Sequence, residues 1–195
     1  MKLILASASP RRKELLTMIG FDNFEVMPAI GEEKIDSNLK PEEIVSVLSK
    51  AKADEIWIKT SDDVVVIAAD TIVWNDGKAL GKPIDRNDAV RMLKGLSGHK
   101  HEVFTGVTVV GPKGSRTEAV MTSVRFKNMT DEEIEAYVDT GEPMDKAGAY
   151  GIQGRASVLI EGIEGDYFNV VGLPLCTLTK MLAEQGVCCF EKVSK

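Results

Sequence analysis

Residues 3–16 read LILASASPRRKELL: an apolar run, Leu3–Ala6, then a break, Ser7-Ala8-Ser9-Pro10, then a charged segment that brings in Leu15, Leu16 and, further on, Ile19 at helical spacing. A short apolar run bounded by turn residues fits a buried strand. Ser9 is a good helix N-cap, Pro10 suits the first helical position, and Gly20 suits the residue after the last turn. The chain therefore opens with a strand–loop–helix unit, the building block of an α/β fold.

Outward from this unit the alternation continues. Gly31 to Lys40 is polar, lacks periodicity and reads as a loop. Pro41 opens a helix with Ile44, Leu48, Ala51 and Glu55 on one face, and Val45 and Lys52 beside it. Asp63–Ala69 is the strongest strand, apolar enough to be central in a sheet, and it ends at Asp70. Thr71–Trp74 and Lys78–Leu80 flank Asn75-Asp76-Gly77, a hairpin signal. Asp85 caps a helix through Ser97, with Gly98 as its stop. His101–Val110 and Arg116–Lys127 are strand-like runs joined by Gly111-Pro112-Lys113-Gly114. Thr130 with Glu133 forms a capping box for a short helix. Ser157–Ile160 is a strand candidate, and Pro174–Gln185 a closing helix. Hairpins among the strand–helix alternations predict a mixed sheet, and a division into two lobes fits near Thr71–Lys82.

The 195 residues are 44% hydrophobic and 28% charged, enough for one sizeable core and unlike a disordered chain. A formal net charge of −6 argues against a basic face for a nucleic acid polymer. No window reaches the roughly 20 apolar residues of a membrane span. Cys176, Cys188 and Cys189 form neither a CxxC pair nor a disulfide framework, and reduced thiols suit a cytoplasmic protein.

Four segments carry candidate chemistry. The Ser7–Arg12 loop enters a helix N-terminus, where unpaired backbone N–H groups and the positive dipole end attract anions. Ser7 and Ser9 add hydroxyls, while Arg11 and Arg12 add bidentate donors. Cations in a first turn oppose the helix dipole, which favours an anionic ligand; the alternative is a capped helix with two solvated arginines. Asp70, after a buried strand, suits metal ligation or general-base work, the alternative being an Asp that caps a turn. Glu33, Lys52 and Lys82 add a carboxylate and cations of the kind phosphoryl chemistry needs. Gly141–Gly154 holds four glycines with Asp145, Lys146 and Gln153, and reads either as a shaped ligand loop or as a series of tight turns. His99 and His101 have no third ligand nearby and are expected to be structural or exposed.

In order along the chain, Ala6–Leu16, Ala69-Asp70-Thr71-Ile72-Val73, Gly81-Lys82-Pro83, Phe104-Thr105-Gly106-Val107, Asp145–Gly154 and Gly165–Leu175 together resemble the Maf family of nucleoside triphosphate pyrophosphatases. The resemblance implies one domain over residues 1–195, a mixed twisted sheet with flanking helices, two lobes around a central cleft as in inosine triphosphatases, and a homodimer. It implies hydrolysis of a nucleoside triphosphate to monophosphate and diphosphate, with Mg²⁺, Mn²⁺ or Co²⁺. By carry-over, Asp70 is the proton acceptor or a metal ligand, and Glu33 helps hold the metal. Arg11, Arg12, Lys52 and Lys82 bind phosphates, and Arg11, Thr71 and Gln153 match positions linked to base selection. Gly31-Glu32-Glu33 departs from a family pattern that often has Asp-Glu. The Gly-Ala-Tyr-Gly-Ile-Gln-Gly loop is similar to that of the branch acting on dTTP and UTP. The family name derives from inhibition of septum formation, so the resemblance also admits a nucleotide-binding regulator acting through a protein partner.

Overall fold

The opening unit folds as read. In a computed structural model, which describes residues 1–31, 38–60 and 63–190, strand β1 (Lys2–Leu5) runs into helix α1 (Pro10–Met18). There follow β2 (Phe24–Val26), α2 (Pro41–Trp57), β3 (Val64–Asn75), β4 (Lys78–Leu80), α3 (Arg86–Leu96), β5 (Lys100–Gly111), β6 (Gly114–Phe126) and α4 (Asp131–Val138). Three short 3-10 turns, Glu142–Asp145, Ala147–Ala149 and Arg155–Leu159, lead to β7 (Ile160–Glu164), α5 (Tyr167–Val171) and α6 (Leu175–Glu184). Strand order is β2-β1-β3-β5-β6-β7, with β4 paired to β3. β1 lies parallel to β2 and β3, while β3–β4 and β6–β7 are antiparallel, so the sheet is mixed as expected. Among the described residues no helix is long and apolar enough to cross a membrane.

The chain divides into two compact units: Met1–Asp70 with Thr105–Ala119 and Gly172–Lys195, and Thr71–Phe104 with Val120–Val171. In the first unit β1 lies between two parallel neighbours, and Leu3–Ala6 and Val64–Ala69 are all buried. Their apolar runs follow from burial on both sheet faces. Helix α2 contributes Ala53 and Ile56 to a cluster with Ile4, Val66 and Ala68. Its buried face is Ile44, Val45, Leu48, Ser49, Ala53 and Ile56. The expected face was thus rotated: Ala51 is exposed, and Lys52 lies half-buried beside the apolar stripe. The approach of α2 to β5 is close enough that a Cβ on Gly106 would overlap the carbonyl of Val45 and lie 2.9 Å from Ser49 Oγ.

In the second unit, α3 and α4 cover Val73, Val103, Val124 and Phe126. Asp85 caps α3 by accepting from Asp88 N at 2.8 Å, and the Thr130–Glu133 box closes in both directions at 3.2 and 3.0 Å. The β3–β4 hairpin turns on Asp76 and Gly77, both with positive φ, as its tight two-residue loop requires. Two expectations are corrected. β3 continues through Asp70 to Asn75 and does not end there, and residues 157–159 form part of a 3-10 turn, with the strand starting only at Ile160.

His99 is exposed, whereas His101 is 2% exposed and packs edge-on against Phe126 and Tyr150 at centroid distances of 5.0 and 5.4 Å. Its Nε2 shares a 2.8 Å hydrogen bond with the Tyr150 hydroxyl. Burial pushes the His101 pKa down from 6.5 to about 4. The unfolded chain therefore binds this proton more readily. The stabilisation is complete above about pH 6.5 and is lost as pH falls towards 4, by about 3 kcal/mol. Denaturant titrations at pH 7 and pH 4.5 should show a steeper loss for the wild type than for His101→Gln. Equal losses would remove His101 as the cause.

Candidate active site

The first unit brings together a loop, a cation and a carboxylate. β1 and β3 are parallel with Leu5 opposite Ile67, and Ala6 N donates to Ile67 O at 2.8 Å. Ser7 follows Leu5 by two residues and Asp70 follows Ile67 by three, so the loop leaving β1 starts beside the stretch of β3 that carries Asp70. For β1 this is the carboxyl end, where α/β proteins place ligands.

The Ser7–Arg12 loop is organised by its own side chains. Ser7 is 8% exposed. Its hydroxyl oxygen accepts from Ser9 N at 3.2 Å and from Arg12 Nη1 at 3.1 Å. With those lone pairs engaged, the hydroxyl hydrogen is the part that can reach a ligand. Arg12 Nε donates to Gly172 O at 2.8 Å, which ties the loop to the segment entering α6. Ser9 occupies the N-cap position in extended conformation, but its side chain makes no capping bond, and no acidic residue lies in the first turn of α1. The helix start and the Ser9 hydroxyl thus present donors to an anion. Arg11 is half-buried in the same turn.

Lys52 reaches Asp70 from α2. Its Nζ lies 2.5 Å from Oδ1, with the two side chains 17% and 8% exposed. A carboxylate inside a buried strand is costly unless it is paired, and Lys52 is the partner that lets β3 pass through Asp70. The reading of Asp70 as a strand-ending turn cap is excluded by this geometry. Near the far end of α2, Glu55 accepts from Lys59 Nζ at 2.9 Å, Gly31 N at 3.0 Å and Ile30 N at 3.2 Å. These bonds, with Lys59 foremost, hold its carboxyl near 2 and fix the chain up to Gly31. Sequence reading had placed Glu55 on the apolar face. Glu33 lies outside the described residues.

The second unit holds Thr71, Lys82 and Gln153. Thr71 is half-buried in β3, directly after Asp70. Lys82 is exposed in the turn after β4, and Gln153 is exposed in the 145–154 loop. The two loops are joined: Gly148 N donates to Gly81 O at 3.0 Å, and a Cβ on Gly148 would lie 2.8 Å from Val73. Asp145 and Lys146 pair with one another. Gly172 as the acceptor for Arg12 was not legible in sequence, although it falls within the Gly165–Leu175 segment.

A family model described as Maf-like protein matches residues 2–185. The dTTP/UTP pyrophosphatase of Acetivibrio thermocellus is 48% identical over 200 residues, covering 98% of this chain and 99% of that protein. The dTTP/UTP pyrophosphatase of Moorella thermoacetica is 50% identical over 190 residues, covering 95% and 96%. Among solved structures, the Staphylococcus aureus Ham1 protein aligns with a TM-score of 0.50 at 13% identity, over 95% of this chain and 100% of that one, a likeness of fold alone.

Proposed function

The chain belongs to the Maf family, and on that premise we propose that it is a nucleoside triphosphate pyrophosphatase hydrolysing dTTP and UTP, with modified pyrimidine nucleotides in the same class. The observation that carries this reading is the Lys52–Asp70 pair on β3, just beyond the residues that pair with β1, the strand leading into the Ser7–Arg12 anion loop. The substrate follows from the relatives' shared activity. A house-cleaning role as a cytoplasmic homodimer accompanies it; three unpaired thiols, Cys176, Cys188 and Cys189, suit a reducing compartment.

Cleaving the α–β anhydride needs an aligned water, an acceptor for its proton, and neutralisation of the departing diphosphate. Water attacks the α phosphorus as Asp70 takes its proton. The bridging P–O bond breaks, and diphosphate leaves with the electron pair. Lys52 fixes the orientation of the Asp70 carboxylate through one oxygen, and a carboxylate keeps lone pairs on both. Ser7, Ser9, Arg11 and Arg12 bind phosphate oxygens, as does Lys82. Thr71 and Gln153, with Arg11, select the base.

A divalent cation, Mg²⁺, Mn²⁺ or Co²⁺, fits this donor set. Such ions use one or two carboxylates and complete their shell with phosphate oxygens and water. Among the described residues no cluster of three or more His, Cys, Asp or Glu would hold a metal unaided. Asp70 would hold the ion together with Glu33. When bound, it neutralises phosphate charge.

The test is a panel of nucleoside triphosphates incubated with pure protein and each metal, with phosphorus products identified by NMR. Monophosphate plus diphosphate from UTP and dTTP is the expected result. Release of orthophosphate would instead indicate a phosphate-ester hydrolase. Binding without turnover would favour the nucleotide-dependent regulator of septum formation.

A further inference from the structure

Gln153 lies within a short turn whose far end is gripped by a carboxylate that a buried phenol holds in place. Tyr137, 6% exposed on α4, donates its hydroxyl to Glu142 Oε1 at 3.0 Å. Glu142 Oε2 accepts from Arg155 N at 2.9 Å, and Oε1 lies 3.4 Å from Ala156 N. The Gly151–Gly154 turn is thus held at its end by the carboxylate, which the phenol in turn fixes. Gly154 N closes the turn on Gly151 O at 3.1 Å. A Cβ on Gly154 would overlap the Glu142 carboxylate, so the grip demands glycine there. Upstream, Gly148 and Ala149 both have positive φ, at 66° and 63°. For a fully buried alanine this is a strained conformation that persists only where its surroundings impose it.

None of these bonds involves the Gln153 side chain, which is exposed. A long amide on a loose loop samples many directions and discriminates poorly, whereas one on a clamped turn presents its carbonyl and amino group in a fixed frame. We propose that Glu142 and Tyr137 are positioning residues for base selection: they set the frame from which Gln153 tells uracil and thymine from cytosine. This rests on the reading of Gln153 as a base contact.

The test compares kcat/KM for UTP and CTP in the wild type, Gln153→Ala, Glu142→Gln, Tyr137→Phe and the Gln153→Ala/Glu142→Gln double variant, alongside amide exchange at Arg155 and Ala156. In Glu142→Gln an amide N–H₂ replaces one carboxylate oxygen, so either the Arg155 bond to Oε2 or both bonds to Oε1 are lost. Tyr137→Phe removes the hydroxyl while conserving packing. Each should lower the UTP-over-CTP preference by about tenfold, the scale of one misplaced polar contact, and speed exchange at Arg155 and Ala156. The double variant should show no further loss beyond Gln153→Ala. If Gln153→Ala erases the preference while Glu142→Gln and Tyr137→Phe keep it, the positioning role is wrong. If Gln153→Ala itself leaves the preference intact, the base-reading role of Gln153 falls, and the positioning role falls with it.

Discussion

Asp70→Asn is expected to lower UTP turnover by about 10³-fold or more, the scale of losing a general base or a metal carboxylate, while nucleotide binding stays measurable. The substitution keeps shape and leaves an oxygen that can still accept from Lys52 Nζ, now 2.5 Å from Oδ1. What disappears is the negative charge. A proton acceptor is lost, and the Lys52 ammonium, whose side chain is only 17% exposed, faces a neutral amide. That mismatch costs about 1–3 kcal/mol, so the melting temperature should fall without loss of folding. Adding Lys52→Met should restore much of the stability and none of the turnover. A single variant keeping most of its rate would remove Asp70 from the chemistry, and loss of nucleotide binding would mean that the carboxylate acts chiefly in holding substrate.

Gly106→Ala is expected to destabilise the protein by about 3 kcal/mol or more. The added methyl group would overlap the backbone carbonyl of Val45 on α2 and crowd Ser49 Oγ at 2.9 Å. Backbone cannot rotate aside. Ser49 is fully buried and bonded to Thr108 Oγ1 at 2.9 Å, which in turn meets Thr117 Oγ1 at 2.9 Å, so moving its hydroxyl breaks a buried chain. Relief requires α2 to shift from β5, and α2 carries Lys52. Stability and turnover should therefore fall together, measured by denaturant midpoint and by kcat below the new midpoint. A variant as stable as the wild type would show that the helix can back away at little cost.

Features governed by neighbours in sequence were the legible ones. Ser9-Pro10, Asp76-Gly77 and the Thr130–Glu133 box are decided within four residues, and each stands where it was read. Features governed by distant partners were not. A lone aspartate in an apolar run reads as a strand end; β3 tolerates it because Lys52, 18 residues earlier, meets it. Residues 157–159 have strand-like composition, yet the preceding amides at 155 and 156 are held by Glu142 and the segment is drawn into a 3-10 turn. β2, at three residues, is too short to show a period. The resemblance flagged Phe104-Thr105-Gly106-Val107 without a reason, and the proximity of Val45 supplies one. Arg11 and Arg12 looked alike in sequence, but Arg12 is tied by Ser7 and Gly172.

That last contact has a consequence for how the protein is made. Arg12 Nε and Gly172 O are 160 residues apart. On the ribosome, synthesis at about 5–20 residues per second separates their appearance by roughly 10–30 s. Throughout that interval the arginine lacks its Gly172 anchor. The nascent chain thus finishes its anion loop only once Gly172 is available. A chain released before Gly172 would carry the whole Ser7–Arg12 sequence and still lack the seat that orients it.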